Sequence, residues 1–310
     1  MYSAVGMSRI TLSRDLAAAG FRPGELARMI RSGELVQLRR GAYVAPAAGV
    51  LDPMAAHLQL LEATVPQCAP QAVVSHTSAA VLHQLPVWSE HLSRVHLTRD
   101  RPGGGRTRRW VQVHGVSLSS SDVVELGGFR ATGLARTVVD LGCSLPLTEA
   151  VAAGDLALTL VDRAEIMEVL DCHAGRTGIG SARRAVALLD SRSESAGESF
   201  SRVIFHLARL PTPELQFSVF THDGRFVGRS DFGWPEFGVL GEFDGKSKYG
   251  ELLRKPGQSA EQVLVAEKRR EDRLRELGWM VIRWMWQDLM CPEALIGRLR
   301  RAFTRGRQVA

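Results

Sequence analysis

The sequence predicts an α/β (α+β) chain in three parts: two helices with a hairpin over residues 1–48, an α/β middle section over 49–190, and a mixed sheet with flanking helices over 191–310. Three observations predict it. Apolar residues recur at helical spacing in some segments and alternate in others, so helices and strands interleave along the chain. The polar stretch LLDSRSESAGES, residues 188–199, reads as a linker or domain entry. Four of the six tryptophans (Trp234, Trp279, Trp284 and Trp286) lie beyond it.

The 310 residues are 45% hydrophobic and 23% charged, which excludes a disordered tail, a fibrous repeat and a disulfide-stapled miniprotein. The longest candidates for a membrane span, such as 150–162, are broken by charges, here Asp155 and Asp162. With no basic start and apolar run at the N-terminus, a cytoplasmic chain without a membrane partner is expected. The four cysteines (Cys68, Cys143, Cys172, Cys291) lie far apart and read as buried thiols. The net charge of +6 leans toward a polyanion, and the basic residues cluster at Arg39-Arg40, Arg106–Arg109, Lys268–Arg275 and Arg298–Arg307.

In the first part, Thr11 or Ser13 is placed to cap a helix that Gly20 stops. GELARMIRSG then forms a second helix after Pro23, with Leu26, Met29 and Ile30 on one side. ELVQLRRGAYVA reads as a hairpin turning at Arg39-Arg40-Gly41. Helix, turn, helix and basic hairpin is the plan of a winged helix-turn-helix. Arg28 and Arg31 of its second helix would face the major groove, and Arg39 and Arg40 would meet phosphate; a small α+β cap with a solvated basic turn is the alternative.

The middle section predicts helices over about 54–65 and from Ser75 to His83, and strands in SRVHLTRD and WVQVHGV. Further helices begin near Ala135 and fit 147–160 and 164–171. The loop PGGGRTRRW brings Arg106, Arg108 and Arg109 together, as a phosphate contact or a solvated tip. His76 and His83 lie seven apart on one helical face. Without a third ligand they read as buried hydrogen-bonding histidines.

The last part carries the chemistry. A helix starts at Glu198, strands follow as LQFSVF, FVGRSDFGW and GVLGEFDG, and a charged helix from Glu261 to Leu277 leads into the strand WMVIRWMW. Residues two apart on a strand share a face, so Glu242 and Asp244 point together, with Asp231 on the neighbouring strand. These acids, completed by Glu198, form an oxygen-rich pocket suited to Mg²⁺ or Mn²⁺, with Lys246 and Lys248 to hold phosphate or orient water. Without a cation between them the acids repel, so neutral variants at Asp231 and Glu242 should both be more stable. The alternative is that they form ion pairs with Lys246, Lys248, Arg202 and Arg229 at a sheet edge. Lys268 and Arg275 recur on one face of the charged helix and would line a nucleic-acid groove or a solvated face.

The pieces around Glu198, S-D-F-G-W, G-E-F-D-G-K, E-K-R-R-E-D-x-L-R-x-L-G-W and V-I-R-W resemble the restriction-endonuclease-like PD-(D/E)XK superfamily, in the branch related to very-short-patch-repair endonucleases. The resemblance covers about 195–305. It implies a Mg²⁺-dependent DNA endonuclease in which Asp231 and Glu242 hold the metal, Glu198 is the helix acid and a lysine follows the second acid. Here Asp244 stands at that lysine's place, which leaves the role to Lys246 or Lys248. The first 190 residues resemble AbiEi-type proteins, the antitoxin and repressor half of type IV toxin–antitoxin modules, through G-E-L-V-Q-L-R-R-G-A-Y-V, S-H-T-S-A-A-V-L-H-Q-L-P and A-x-R-T-V-V-D-L. That resemblance implies double-stranded DNA and a cognate toxin as partners, and a regulator without enzymatic activity.

Overall fold

The computed structural model describes residues 10–46, 49–101, 104–245 and 260–306, with the backbone alone for 260–267. The chain divides into two compact units. One holds residues up to Leu145 together with Val161–Val186, and the other holds Pro146–Leu160 with everything from Ala187. The helix of the segment 147–160 thus belongs with the C-terminal part, whereas the sequence pattern groups it with the middle section.

The first unit opens with β1 (Thr11–Leu12), α1 (Ser13–Ala18) and α2 (Pro23–Arg31). The hairpin β2 (Val36–Arg39) and β3 (Ala42–Val44) follows, and the three strands form a sheet of order β1-β3-β2. No side chain caps α1, contrary to the roles expected of Thr11 or Ser13. Gly41 closes the hairpin at φ +81°, where an L side chain is strained. A Cβ there would sit 3.2 Å from Gln67 Oε1, so the hairpin turn lies against the body of the unit. Leu12 and Ala42 pack with Ala63 of α3 (Pro53–Thr64), whose N-terminus Asp52 caps through bonds from the Met54 and Ala55 amides.

Beyond α3 come β4 (Val73–Val74), α4 (His76–Leu82), β5 (Val95–Arg99), β6 (Arg106–Thr107), β7 (Val111–Gly115), β8 (Val123–Leu126) and β9 (Phe129–Thr132). They make a six-stranded mixed sheet of order β6-β7-β5-β4-β9-β8. The β5–β7 pair is parallel, with Thr98 opposite His114 and His96 opposite Gln112. The core between this sheet and α3 and α4 holds Leu61, Ala79, Leu82, Val95, Leu97 and Val111. Helices α5 (Leu134–Ser144), α7 (Arg163–Cys172) and α8 (Ile179–Ala187) complete the unit, α6 (Leu147–Ala157) lying between α5 and α7 in sequence.

In the second unit α6 stands with α9 (Ala196–Leu207). The polar stretch before α9 is fastened in place: the Asp190 amide donates to Asp155 Oδ1 at 2.7 Å, and Ser193 is buried. It is a packed turn: besides the tie to α6 through Asp155, Arg192 pairs with Asp190 at 2.8 Å and the Glu194 amide donates to Glu198 Oε2 at 2.9 Å. Strands β10 (Glu214–Phe220), β11 (Phe226–Trp234) and β12 (Val239–Phe243) run antiparallel in order. After α10 (Ala260–Glu276), β13 (Met280–Trp284) joins β12 in parallel. Helices α11 (Trp286–Met290) and α12 (Glu293–Gly306) end the unit.

Its core is aromatic. Phe205 of α9 meets Phe232, Trp234 and Trp284 edge-on at centroid distances of 5.4–5.7 Å, a geometry the ring quadrupoles favour. The indole of Trp284 donates to Ser201 Oγ at 2.8 Å, so its polar end is satisfied inside the core. Gly197 lets α9 approach β12: a Cβ there would lie 1.9 Å from the Phe243 ring.

Candidate nucleic-acid interface and acidic pocket

A pocket of about 610 Å³ opens in the first unit beside β5, β6 and β7. Arg39, Arg99, Arg101, Arg106, Arg108 and Arg109 line it, and no carboxylate is among its lining residues. Arg39 arrives from the hairpin, Arg99 from the end of β5, and the others from the loop and strand that lead into β7. The Nε and Nη1 groups of Arg39 are shut off from solvent and make no hydrogen bond. Guanidinium nitrogens shut off from water without an acceptor are costly, and an anion entering this pocket would relieve that cost. The Arg109 guanidinium stacks 4.7 Å from the Trp110 ring centre, which leaves an aromatic face and a cation on the same wall.

The expected DNA contacts divide here. Arg39, Arg106, Arg108 and Arg109 share the pocket, and Arg99 and Arg101 join them. Arg40 is exposed at the hairpin turn, and Arg28 and Arg31 are exposed in the last turn of α2. Lys268 and Arg275 lie exposed on α10 in the other unit, with Arg275 paired to Glu271.

The acids of the second unit do come together. Asp231, Glu242 and Asp244 line a pocket of about 280 Å³ with Arg229, Arg270 and Arg283. The Phe243 amide donates to Asp231 Oδ2 at 2.7 Å. Burial nevertheless pushes the Asp231 carboxyl up to about 6, and Glu198 and Glu242 add to the rise. Glu198 lies at the start of α9, where it accepts from Ser195 Oγ (2.7 Å), the Glu194 amide (2.9 Å) and Gln216 Nε2 (2.8 Å).

Glu242 is held differently from the metal ligand expected of it. Its Oε1 accepts from Arg270 Nη2 at 2.6 Å and Ser230 Oγ at 3.1 Å, and its Oε2 from Arg283 Nε at 2.9 Å. The parallel register places Arg283 directly beside Glu242, and α10 delivers Arg270 from above the sheet. A hard divalent cation needs several oxygens with open lone pairs, and three arginines on the same pocket oppose it. In this arrangement the donor set does not fit Mg²⁺ or Mn²⁺. The ion-pair partners anticipated for the acids differ too: Arg202 binds Asp155 at 2.7 Å, Arg229 binds Glu194 at 2.7 Å, and the cations on Glu242 are Arg270 and Arg283. Lys246 and Lys248 lie outside the described residues.

Sequence reasoning missed Arg99, Arg101, Arg270 and Arg283. The last two carried a usable signal. Arg283 interrupts the apolar strand VIRW, and an arginine in such a strand needs an acid beside it. The thiols also depart from expectation: Cys68 and Cys143 are half-buried, and Cys172 and Cys291 are exposed. No helix among the described residues is long and apolar enough to cross a membrane.

Comparison with known proteins adds to this geometry. Two relatives from Mycobacterium tuberculosis, "Uncharacterized protein MT2308" of strain CDC 1551 / Oshkosh and "Uncharacterized protein Rv2248" of strain ATCC 25618 / H37Rv, are each 28% identical over 284 residues. That span covers 90% of this chain and 96% of each relative. The crystal structure of the RV2827C protein from the same organism is similar at 17% identity and a TM-score of 0.40, over 70% of this chain and 85% of that one. Residues 6–46 match the family described as "Transcriptional regulator, AbiEi antitoxin", so the similarity to AbiEi-type proteins lies in the N-terminal segment.

Proposed function

We propose that the protein is a DNA-binding transcriptional regulator of the AbiEi antitoxin type, with the arginine pocket of its first unit as the phosphate-binding surface. The observation that carries this reading is the convergence of six arginines with no carboxylate among the lining residues. Guanidiniums crowded without counter-charge repel one another, and a phosphate backbone supplies that charge in bidentate form. The helices and hairpin of the N-terminal segment would set the register on double-stranded DNA through a winged helix-turn-helix, and a cognate toxin would be the protein partner. In this reading the second unit is a binding module, because the arginines on Glu242 hold its pocket in a neutralised state.

A second reading, a Mg²⁺-dependent endonuclease with the fold of the PD-(D/E)XK superfamily, is supported by Asp231, Glu242 and Asp244 meeting in one pocket. It requires Arg270 and Arg283 to release Glu242 first. One experiment separates the two. The full chain is incubated with plasmid and with linear duplex in Mg²⁺ or Mn²⁺, as wild type, as Asp231→Ala and as the triple variant Arg39→Ala, Arg106→Ala, Arg108→Ala. The regulator reading expects duplex binding that the triple variant loses, and intact plasmid throughout. Plasmid cleavage by wild type that vanishes in Asp231→Ala establishes the endonuclease instead.

A further inference from the structure

The first unit also holds a histidine cluster, with His76 buried and His96 and His114 half-buried. His76 opens α4, His96 lies on β5 and His114 on β7. The parallel register sets His114 opposite Thr98, two residues from His96, so both imidazoles share one face of the sheet. His96 Nδ1 and His114 Nε2 stand 3.0 Å apart, and the His76 ring stacks on His114 at a centroid distance of 3.6 Å. Each of the three offers a ring nitrogen, and these nitrogens lie within 4.8 Å of one another.

Three imidazoles in contact, with no carboxylate hydrogen-bonded to any of their ring nitrogens among the described contacts, are a poor way to fill a core. Burial keeps them uncharged, with His96 held down to about 3 and His114 to about 4. An uncharged imidazole has one lone pair to give. In a tetrahedral site with Zn–N bonds of about 2.0–2.1 Å the ligand nitrogens stand roughly 3.3 Å apart; His96 Nδ1 and His114 Nε2 are already at 3.0 Å, and His76 must turn out of its stack on His114 to aim a nitrogen at the same ion.

The surroundings fit the same use. Arginine can only donate, so the 3.2 Å contact from Arg176 Nη2 makes His76 Nε2 the nitrogen with the lone pair. Nδ1 then carries the hydrogen, with Ser75 Oγ at 2.9 Å and Asp140 Oδ2 at 3.8 Å behind it. Oδ2 of Asp140 is buried and makes no hydrogen bond, and Asp140 is fully enclosed. A carboxylate behind the non-ligating nitrogen is how metal-binding histidines are oriented. His76 and His114 also line a pocket of about 600 Å³ with Ser117, Ser144, Cys143 and Arg176, which gives an ion both an entry path and an open fourth position. Arg176 would release His76 on ion entry while keeping its pair with Asp140.

We propose that His76, His96 and His114 bind one divalent transition-metal ion of the zinc class, with the fourth coordination position facing that pocket. Imidazole donors of this kind select Zn²⁺, Ni²⁺, Cu²⁺ or Fe²⁺ over Mg²⁺ or Ca²⁺. The site is separate from the acidic pocket and does not depend on the regulator reading.

The test uses the full chain stripped with EDTA and titrated with Co²⁺, followed by the visible absorption of the ion, and with Zn²⁺, followed by calorimetry. One equivalent per chain with a tetrahedral Co²⁺ spectrum is expected. Affinity should fall at least about 100-fold in His96→Gln and His114→Gln, while His222→Gln, at an exposed turn of the second unit, binds as wild type. In case those variants fold poorly, the wild-type chain labelled with ¹⁵N-histidine is observed by NMR. Zn²⁺ should move the ring nitrogens of three of the nine histidines. Absence of stoichiometric binding, binding that persists in both variants, or ring shifts at histidines other than these three overturns the proposal.

Discussion

The two acids facing each other in the second unit should respond to neutralisation with opposite signs. Asp231→Asn keeps an oxygen for the Phe243 amide and removes a charge whose carboxyl is raised from an ordinary 3.8 to about 6. Because the folded form holds its proton more tightly, the wild type is favoured below about pH 4 and loses that stability as pH rises through 6. At 1.36 kcal/mol per pK unit the ceiling is about 3 kcal/mol, and about 1–2 kcal/mol remains after solvent screening at a half-buried site. The Asn variant should therefore gain about 1–2 kcal/mol at pH 7.5 and nothing at pH 4. Glu242→Gln instead strips the charge from two arginine contacts and should lose about 1–2 kcal/mol at pH 7.5. Urea unfolding of both variants and wild type at the two pH values reads this directly. Stabilisation by both substitutions, together with a higher melting temperature of wild type in millimolar Mg²⁺, would refute the reasoning and restore Glu242 as a metal ligand.

Other consequences concern packing and buried charge. Gly197→Ala should destabilise by about 1–3 kcal/mol in urea unfolding, despite the better helix propensity of alanine, because the added Cβ meets the Phe243 ring at 1.9 Å. Arg136, 1% exposed, joins Asp122 at 2.9 Å and Asp140 at 3.0 Å, so Arg136→Ala should cost about 3 kcal/mol by leaving Asp122 buried without its arginine, while Asp140 keeps Arg176. Thermal unfolding with circular dichroism checks it.

Much of the secondary structure was legible from pattern. FVGRSDFGW is β11 from first residue to last, and alternation found β5 and β7. The meeting of Asp231, Glu242 and Asp244 followed from strand adjacency and period alone. What pattern could not supply was strand order: β5 pairs with β4 and β7, and only that order puts His96 beside His114. His76 and His83, seven apart, read as hydrogen-bonding histidines, and His83 does bond to the Thr132 carbonyl at 2.9 Å; the approach of His114 to His76 left no local signal. Helix α8 was missed because half of its buried side is alanine: Ile179, Ala182, Ala185 and Val186 face inward, with Arg183 and Arg184 between them. Arg136 and Asp140, four apart in an otherwise apolar helix, were a legible sign of a buried pair. The cations on Glu242 come from 28 and 41 residues away, beyond any local spacing.

Contact between the arginine pocket of the first unit and the DNA backbone is read from the salt dependence of duplex binding. Fluorescence anisotropy from 50 to 200 mM salt would compare wild type with the Arg39→Ala, Arg106→Ala, Arg108→Ala variant. Each phosphate contact contributes about 0.9 to the slope of log K against log salt, so the variant's slope should be shallower by about 2.7. Equal slopes and equal affinities in a folded triple variant would mean that the pocket holds no phosphate.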